Sequence, residues 1–274
     1  MSYFQPSTVA EALRDLNERK SRVLAGGTDI FPALQNSPLM GPTVDVSRVA
    51  SLRGIVQTDA GWRIGANTTW TDVAAANLPP AFKALQLAAT EVGSVQIQNR
   101  ATIAGNLCNA SPAADGVPPL LVLDAELELV SMRGSRRLVL DQFILGNRKT
   151  AREPDELLTA IHVPARSVQG RSNFLKLGAR RYLVISIAMV AVRLVLDRTG
   201  CISDCAIAVG SCSPVALRLR RLEQVLIGQG SNAVTVGPVL LDGLSPLDDV
   251  RATAEYRKEA VAELIMRAVR EAAA

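Results

Sequence analysis

The distribution of apolar residues changes once along the chain, at a polar stretch without periodicity over residues 167–170. Before this stretch, short apolar strands alternate with helical segments. After it, three strand-like segments come first and helices follow, an order that is typical of an α+β domain. A chain of 274 residues can form two domains of about 100 to 200 residues each. The sequence therefore predicts one domain over residues 1–166 and an α+β domain over residues 171–274.

The first domain is predicted to consist of two lobes, over about residues 1–53 and 54–166. In the first lobe, Thr8 and Glu11 have the spacing of a capping box and predict a helix. Further predicted elements of this lobe are strands at 22–25 and 43–46 and a helix from Thr28. In the second lobe, strands are predicted at 54–57, 62–65, 126–131, 137–140 and 157–163, and helices at 71–77, 81–92 and 112–124. In the second domain, the predicted strands are 173–177, 185–196 and 202–209, and the predicted helices are 216–227, 233–241 and 253–273.

The residue types exclude several classes of site. His162 is the only histidine, which excludes an HExxH zinc site and any multi-histidine metal centre. The four cysteines contain no CxxC pair, so we predict no metal site and interpret Cys108, Cys201, Cys205 and Cys212 as small buried hydrophobic residues. Five Phe, three Tyr and two Trp are too few for a series of base-stacking side chains, so no nucleic acid is expected.

Neither the amino terminus nor the apolar segments indicate a membrane protein. The first residues, MSYFQPST, lack the basic segment and apolar run of a secretory signal. The longest apolar stretch, residues 183–192, is too short to span a bilayer. The sequence therefore predicts a cytoplasmic protein with reduced thiols. Residues 165–274 carry 15 Lys and Arg against 10 Asp and Glu, which motivates the hypothesis that Arg218, Arg220 and Arg221 form a docking surface for a partner protein.

Two glycine-containing loops are the best candidates for a ligand site. The first loop is LAGGTDI at 24–30, and the second loop is ATIAGNLCNASPAAD at 101–115. A diphosphate needs several N–H donors at about 2.9 Å, and glycines let the backbone come that close. A GG pair alone is more typical of an ordinary turn, whereas two such loops favour a dinucleotide or flavin. We assign Asp29, an acid in the first loop, to capping the following helix.

Four segments carry a resemblance to a known family: LAGGTD at 24–29, QIQNRATIAGNLCNASPAADGVPPLLVLDAELEL at 96–129, LKLGARRYLVISIA at 175–188 and AEYRKEAVAELIMRA at 254–268. Over essentially its whole length, the sequence resembles the FAD-binding medium subunit of the molybdenum hydroxylases, the group of xanthine dehydrogenase, carbon monoxide dehydrogenase and aldehyde oxidase. The resemblance implies an α+β fold with a two-lobed FAD-binding domain of the vanillyl-alcohol-oxidase/PCMH type. It also implies an additional α+β C-terminal domain with an antiparallel sheet and helices.

The resemblance also implies a non-covalent FAD site and the residues that form it. The two loops would wrap the pyrophosphate, Asp115 would reach an FAD hydroxyl, Lys176 would lie near the isoalloxazine and Leu158 would be an apolar contact. The residues implied are Val23, Leu24, Ala25, Gly26, Gly27, Thr28, Asp29, Ile30, Thr102, Ile103, Ala104, Gly105, Asn106, Asp115, Leu158 and Lys176. No catalytic residue for substrate chemistry is predicted.

Four positions need a physical argument beside the resemblance. The family usually has glycine where this chain has Ala104, and a methyl group there is tolerated only if φ is negative. An ammonium at Lys176 would stabilise reduced flavin that has lost its N1 proton, which predicts that a Lys176→Met variant lowers the flavin potential. Tyr182 could lie beside the ring system or be a buried strand residue. His162 is interpreted as a structural or surface residue.

The function implied by the resemblance is electron transfer within a complex. The chain would take electrons from [2Fe–2S] clusters in a small partner subunit and pass them to NAD⁺, oxygen or another acceptor. The molybdenum cofactor would lie in a large partner subunit, and the assembly would be a dimer of heterotrimers. Two alternatives remain open: a self-sufficient flavin-dependent oxidoreductase, and an interaction module without flavin, to which only Ala104 points.

Overall fold

The first lobe is a parallel three-stranded sheet with two helices, seen in a computed structural model that describes residues 2–181 and 183–274. Its elements are β1 (Tyr3–Phe4), α1 (Val9–Arg19), β2 (Arg22–Leu24), α2 (Ile30–Leu34) and β3 (Thr43–Asp45), with the strands in the order β1-β3-β2. Helix α1 begins with the predicted capping box, in which Thr8 Oγ1 accepts from the Glu11 N–H and Glu11 Oε2 accepts from the Thr8 N–H, both at 3.2 Å. Met1 and Tyr182 lie outside the described residues. The two interpretations of Tyr182 therefore stay predictions.

The second lobe is built on an antiparallel five-stranded sheet in the order β4-β5-β10-β6-β7. Its strands are β4 (Ile55–Thr58), β5 (Gly61–Gly65), β6 (Glu126–Ser131), β7 (Gly134–Val139) and β10 (Leu157–Pro164). A separate hairpin of β8 (Ile144–Gly146) and β9 (Lys149–Thr150) lies between β7 and β10 along the chain. The described helices of this lobe are α3 (Trp70–Ala75), α4 (Lys83–Glu91), α5 (Val95–Gln98), α6 (Ile103–Asn109), α7 (Val117–Val122) and α8 (Leu140–Phe143).

The second domain is an antiparallel four-stranded meander that packs against a long helix. The strands β11 (Arg171–Leu177), β12 (Ala188–Leu196), β13 (Ile202–Gly210) and β14 (Leu217–Arg218) are neighbours in chain order. The helices are α9 (Arg220–Leu226) and α10 (Ala254–Ala273). Val261, Ile265 and Val269 of α10 are fully buried, and their spacing of four residues places them on one apolar face of the helix. Strands followed by helices confirm the predicted α+β class, and no helix in the described residues is long and apolar enough to cross a membrane.

Several predicted elements have other bounds in the structure, among them β7, which was predicted over 137–140 and covers Gly134–Val139. The helix predicted over 233–241 is wrong: this segment contains two 3₁₀ turns, at Ser231–Ala233 and Pro238–Leu241, because Pro238 lacks the N–H that a helix interior needs. The helix predicted over 216–227 begins only at Arg220, since β14 pairs with β13 before it. The strand predicted from residue 185 begins at Ala188, and of the helix predicted over 112–124 only α7 forms.

Two segments that lack a periodic pattern are ordered by tertiary contacts. Residues 93–111, which carry no clear helical pattern, contain α5 and α6. The stretch at 167–170 is packed against the rest of the chain, because a 3₁₀ turn covers Ala165–Val168 and Ser167 is fully buried. The Ser167 hydroxyl donates to Asp124 Oδ2 at 2.7 Å, which holds this segment against the second lobe.

Two buried arginines of the second domain bind the carboxyl end of α7 in the second lobe. Arg193 Nε donates to the Val122 carbonyl at 3.0 Å, and Arg218 Nη1 donates to the Leu121 carbonyl at 2.9 Å. Cations at this end of a helix satisfy carbonyl groups that lack a helical partner and interact favourably with the helix dipole. These bonds fix the second domain to the helix that follows Asp115.

The docking surface hypothesised for three arginines is wrong for Arg218. Its side chain is only 8% exposed and forms ion pairs with Asp124 at 2.9 Å and Glu223 at 2.6 Å. The Arg218 charge is therefore paired with carboxylates of the same chain and does not belong to an exposed docking surface. Arg220 is exposed and pairs with Asp141 at 3.3 Å across the surface.

We expect Arg218→Met to lower the free energy of unfolding by about 3 kcal/mol, because Asp124 and Glu223 lose their buried cation. The matched control is Arg220→Met, which removes an exposed pair and should cost less than about 1 kcal/mol. Urea unfolding of both variants measures the difference. Equal midpoints for the two variants would contradict the structural role of Arg218.

Candidate functional site

A cavity of about 700 Å³ lies where both lobes meet, with Ile185 of the second domain at its wall. Cavities that bind small molecules and cofactors are typically of this size, about 300 to 1,000 Å³. Residues of the first loop and of the second loop line the cavity together, although they are far apart in the sequence. The cavity is therefore the candidate site.

The first loop presents backbone donors that the protein does not use. The N–H groups of residues 26–29 donate to no backbone or side-chain acceptor among the described residues, whereas the carbonyls of Gly27 and Asp29 accept from α2. Gly27 adopts φ +75°, the left-handed region, where a side chain would be strained. Successive free N–H groups in such a turn form a concave site for an anion.

In the second loop, the N–H groups of residues 103–106 already have acceptors within the protein. This corrects the prediction that the backbone of both loops donates to a diphosphate. The N–H of Ile103 donates to Thr68 O at 3.0 Å, and that of Ala104 donates to Ala66 O at 3.2 Å. The N–H of Gly105 donates to Thr102 Oγ1 at 3.1 Å, and that of Asn106 donates to Thr102 O at 3.1 Å. These backbone groups are therefore not available to a ligand. Among residues 102–106, the donors without a backbone or side-chain acceptor in the described residues are the N–H and hydroxyl of Thr102 and the Asn106 amide.

The position of Ala104 follows from the same geometry. Thr102 is the N-cap of α6, and the segment predicted to be a loop is the first turn of that helix. Ala104 therefore has the negative φ of a helical residue, and its methyl group causes no backbone strain. Ala104, the only residue that pointed to an interaction module without flavin, therefore causes no strain in the structure.

The two loops touch each other directly. A Cβ atom on Gly26 would lie 2.1 Å from the Arg100 carbonyl oxygen, so only glycine allows this approach. Beyond it, Asn109 Nδ2 donates to Asp29 Oδ1 at 3.1 Å. The assignment of Asp29 as a side-chain cap of α2 is wrong, because its carboxylate makes no capping bond and accepts from Asn109 instead.

A buried ionic group lies at the edge of the cavity. Asp115 lines the cavity, accepts from Ser186 Oγ at 2.7 Å and pairs with Lys176 Nζ at 2.8 Å. Lys176 Nζ also donates to the Glu91 carbonyl at 3.1 Å. Burial raises the pKa of Asp115, and the adjacent Lys176 ammonium opposes this increase. Lys176 itself does not line the cavity, so its charge reaches the site through Asp115.

Most of the residues implied by the family resemblance lie at this cavity. Those that line it are Val23, Ala25, Gly26, Gly27, Thr28, Asp29, Ile30, Thr102, Ala104, Gly105, Asn106, Asp115 and Leu158. Leu24 and Ile103 do not line it, because their side chains are buried in the core. His162 pairs with Glu128 at 3.0 Å on the five-stranded sheet and is not among the lining residues.

Several lining residues were not predicted from the sequence. Cys108 and Asn109 belong to the quoted second loop, so their position in the motif was a usable signal. Arg148, at the tip of the β8–β9 hairpin, and Arg152 reach the cavity only through tertiary packing. Trp70 also lines it.

The residues present fit FAD. The free N–H groups of residues 26–29 suit a diphosphate, and Val46, Val92 and Ile97 provide apolar wall for ring systems. Trp70 Nε1 and Asn106 Oδ1 are buried at the cavity wall without a protein partner among the described residues. Unpaired buried polar groups are costly, and they suit a site built for a polar ligand.

Comparison with known proteins agrees with this site. A family model described as the FAD binding domain in molybdopterin dehydrogenase matches residues 1–166, and one described as the CO dehydrogenase flavoprotein C-terminal domain matches residues 173–272. A putative xanthine dehydrogenase FAD-binding subunit of Escherichia coli is 32% identical over 286 residues, which cover 100% of this chain and 96% of that protein. A nicotinate dehydrogenase FAD-subunit of Eubacterium barkeri is 32% identical, with 94% and 91% covered.

Solved structures show the same architecture. A chain of the Cu,Mo-CO dehydrogenase in its cyanide-inactivated form superposes with a TM-score of 0.89 at 26% identity, covering 100% of this chain and 97% of that one. A chain of the carbon monoxide dehydrogenase of Hydrogenophaga pseudoflava gives 0.89 at 27% identity, with 99% and 96% covered. The fold and the site thus define an FAD-binding oxidoreductase subunit. The chain belongs to the molybdenum hydroxylase family, as its FAD-binding subunit.

We expect Gly27→Ala to weaken FAD binding about tenfold. A left-handed alanine costs roughly 1 to 2 kcal/mol, and its Cβ would lie 2.5 Å from the Phe31 ring, so the loop relaxes away from the conformation that presents its N–H groups. Gly237→Ala is the control, because Gly237 has φ −85° and open space around its Cα. Fluorescence titration of the apoprotein with FAD measures both. Unchanged affinity for Gly27→Ala would argue against the role of this turn.

Bound FAD should also protect Cys108 from alkylation. Cys108 is half-buried at the cavity wall, and burial raises its pKa to about 11, so it reacts slowly even when accessible. Cys201, also half-buried but outside the cavity, is the internal control. Maleimide labelling followed by mass spectrometry, with and without FAD, gives the two rates. If FAD does not slow the labelling of Cys108, or slows the labelling of Cys201 equally, the assignment of the cavity is contradicted.

Proposed function

We propose that the chain binds one FAD non-covalently in this cavity and transfers electrons within a molybdenum hydroxylase complex. The observation that carries the proposal is the row of uncommitted N–H groups at residues 26–29, placed directly against the second loop. In this proposal, residues 1–166 form the FAD-binding domain and residues 171–274 form the C-terminal domain.

The contacts to FAD divide between the loops. Residues 26–29 donate backbone N–H groups to the pyrophosphate, while the hydroxyl of Thr102 and the amide of Asn106 bind neighbouring oxygens of the cofactor. The Thr102 hydroxyl can do this because its oxygen accepts from Gly105 and its hydrogen remains free to donate. Leu158 contributes apolar wall.

Asp115 and Lys176 act as a pair. Lys176 Nζ donates to both Asp115 Oδ2 and the Glu91 carbonyl, and the Ser186 hydroxyl donates to the other carboxylate oxygen. Asp115 is thereby held rigidly and presents its carboxylate to a cofactor hydroxyl. The pair is neutral overall, so an effect of Lys176 on the flavin potential acts through Asp115 and is smaller than that of an unpaired ammonium. Bound FAD supplies the exchange of electrons singly or in pairs.

The partners follow from the relatives. The carbon monoxide dehydrogenases of Hydrogenophaga pseudoflava and Afipia carboxidovorans each have a medium chain similar to this one, at 27% and 29% identity. We infer a small [2Fe–2S] subunit that delivers electrons, a large molybdenum subunit and a dimer of heterotrimers. The acceptor is NAD⁺, oxygen or another oxidant. All four cysteines are free thiols, which supports a cytoplasmic location.

The purified chain should bind FAD with one-to-one stoichiometry and show a flavin absorbance band. Reduction of that flavin by an organic substrate should require both the molybdenum and the iron–sulfur subunits, tested by co-expression with the neighbouring genes. Anaerobic absorbance at the flavin band follows reduction. Rapid oxidation of a small organic substrate by the isolated chain would establish the self-sufficient oxidoreductase instead. A folded chain that takes up no FAD would establish the flavin-free alternative.

A further inference from the structure

The β8–β9 hairpin places an arginine at the cavity. Asn147 and Arg148 form the tip of this hairpin and line the cavity wall. The Arg148 N–H donates to the Ala110 carbonyl at 3.0 Å, just beyond the end of α6. Arg148 adopts φ +54°, a left-handed conformation that is costly for a residue with a side chain. The hairpin is therefore held in one defined position against α6.

A chain of hydrogen bonds connects Arg148 to the first loop. Arg148 Nη1 donates to Asn109 Oδ1 at 3.3 Å, and Asn109 Nδ2 donates to Asp29 Oδ1 at 3.1 Å. All three residues line the cavity. The Asn109 side chain thus bridges the Arg148 guanidinium and the Asp29 carboxylate of the first loop.

The charges of the two loops explain why such a cation is needed. Residues 23–30 and 102–106 contain no Lys or Arg, and the only charged side chain among them is the acid Asp29. A diphosphate placed at residues 26–29 would lie beside this carboxylate, and like charges at short distance repel. Asp29 has only a neutral amide as its side-chain partner among the described residues. The loops alone therefore leave the negative charges uncompensated.

Arg148 has donors to spare. Of its five guanidinium N–H groups, one donates to Asn109, and no other side-chain bond involves Arg148 among the described residues. Arg22 and Arg152 also line the cavity, and Arg152 already donates to the carbonyls of Glu153 and Glu156, at 3.1 and 2.7 Å. A guanidinium is suited to phosphate oxygens because it presents several donors in one plane.

We propose that Arg148 is an FAD-binding residue whose guanidinium donates to the diphosphate and offsets the charge of Asp29, with Asn109 as its positioning residue. The inference rests on the proposed placement of the pyrophosphate at residues 26–29. It adds a site on the hairpin, outside both glycine loops.

The test compares two charge-neutralising variants on the same hairpin. Arg148→Gln should raise the dissociation constant of FAD about tenfold, as expected for loss of one charge-assisted bond at an exposed position. Lys149→Gln removes the same charge one residue away, at an exposed side chain that does not line the cavity, and should change it less than twofold. Titration of each apoprotein with FAD at several salt concentrations measures affinity, and Arg148→Gln should also reduce the salt dependence. Thermal unfolding of the apoproteins shows that both variants fold.

Asp29→Asn provides the second measurement. Because the Asp29 carboxylate would repel the diphosphate, Asp29→Asn should strengthen FAD binding and, in the Arg148→Gln background, restore part of the affinity that Arg148→Gln loses. Equal affinities for Arg148→Gln and Lys149→Gln, or no gain of affinity from Asp29→Asn in the Arg148→Gln background, overturn the inference. Failure of the wild-type apoprotein to bind FAD overturns the proposed function itself, which is a different outcome.

Discussion

The close approach of Gly26 to the backbone of Arg100 and Ala101 is the contact on which the site depends. Gly26 belongs to the first lobe and Arg100 to the second, and any side chain between them would separate the lobes. Because the contact is backbone to backbone, the free N–H groups of the first loop are held beside α6 at a fixed distance. The cavity is lined by residues of both lobes next to this contact.

The two loops have different tasks. The first loop presents free N–H donors, whereas the second is a capped helix turn in which the N–H groups of residues 103–106 already have acceptors, so it contributes through the side chains of Thr102 and Asn106. The second domain completes the arrangement, since Lys176 and Ser186 fix Asp115 while Arg193 and Arg218 hold the helix α7 that follows it. The candidate site is therefore stabilised by all three parts of the chain.

Local signals in the sequence were sufficient for much of the fold. The capping box at Thr8 and Glu11, the alternation in β6 and the apolar stripe of α10 depend on near neighbours, so they were predictable. The helix predicted over 233–241 failed because apolar content alone did not outweigh Gly237 and Pro238. Arg148 could not be predicted, since a hairpin tip reaches the cavity only through its bond to Ala110. The occupied N–H groups of residues 103–106 were also invisible, because their acceptors Thr68 and Ala66 come from another segment.

Amide hydrogen exchange measured by NMR, with and without FAD, tests the division between the loops most directly. The amides of residues 26–29 are expected to exchange rapidly in the apoprotein, because they lack acceptors, and to become protected when FAD binds. The amides of residues 103–106 are expected to be protected in both states. Protection of residues 26–29 that does not change with FAD, or protection by FAD confined to residues 103–106, would contradict the account.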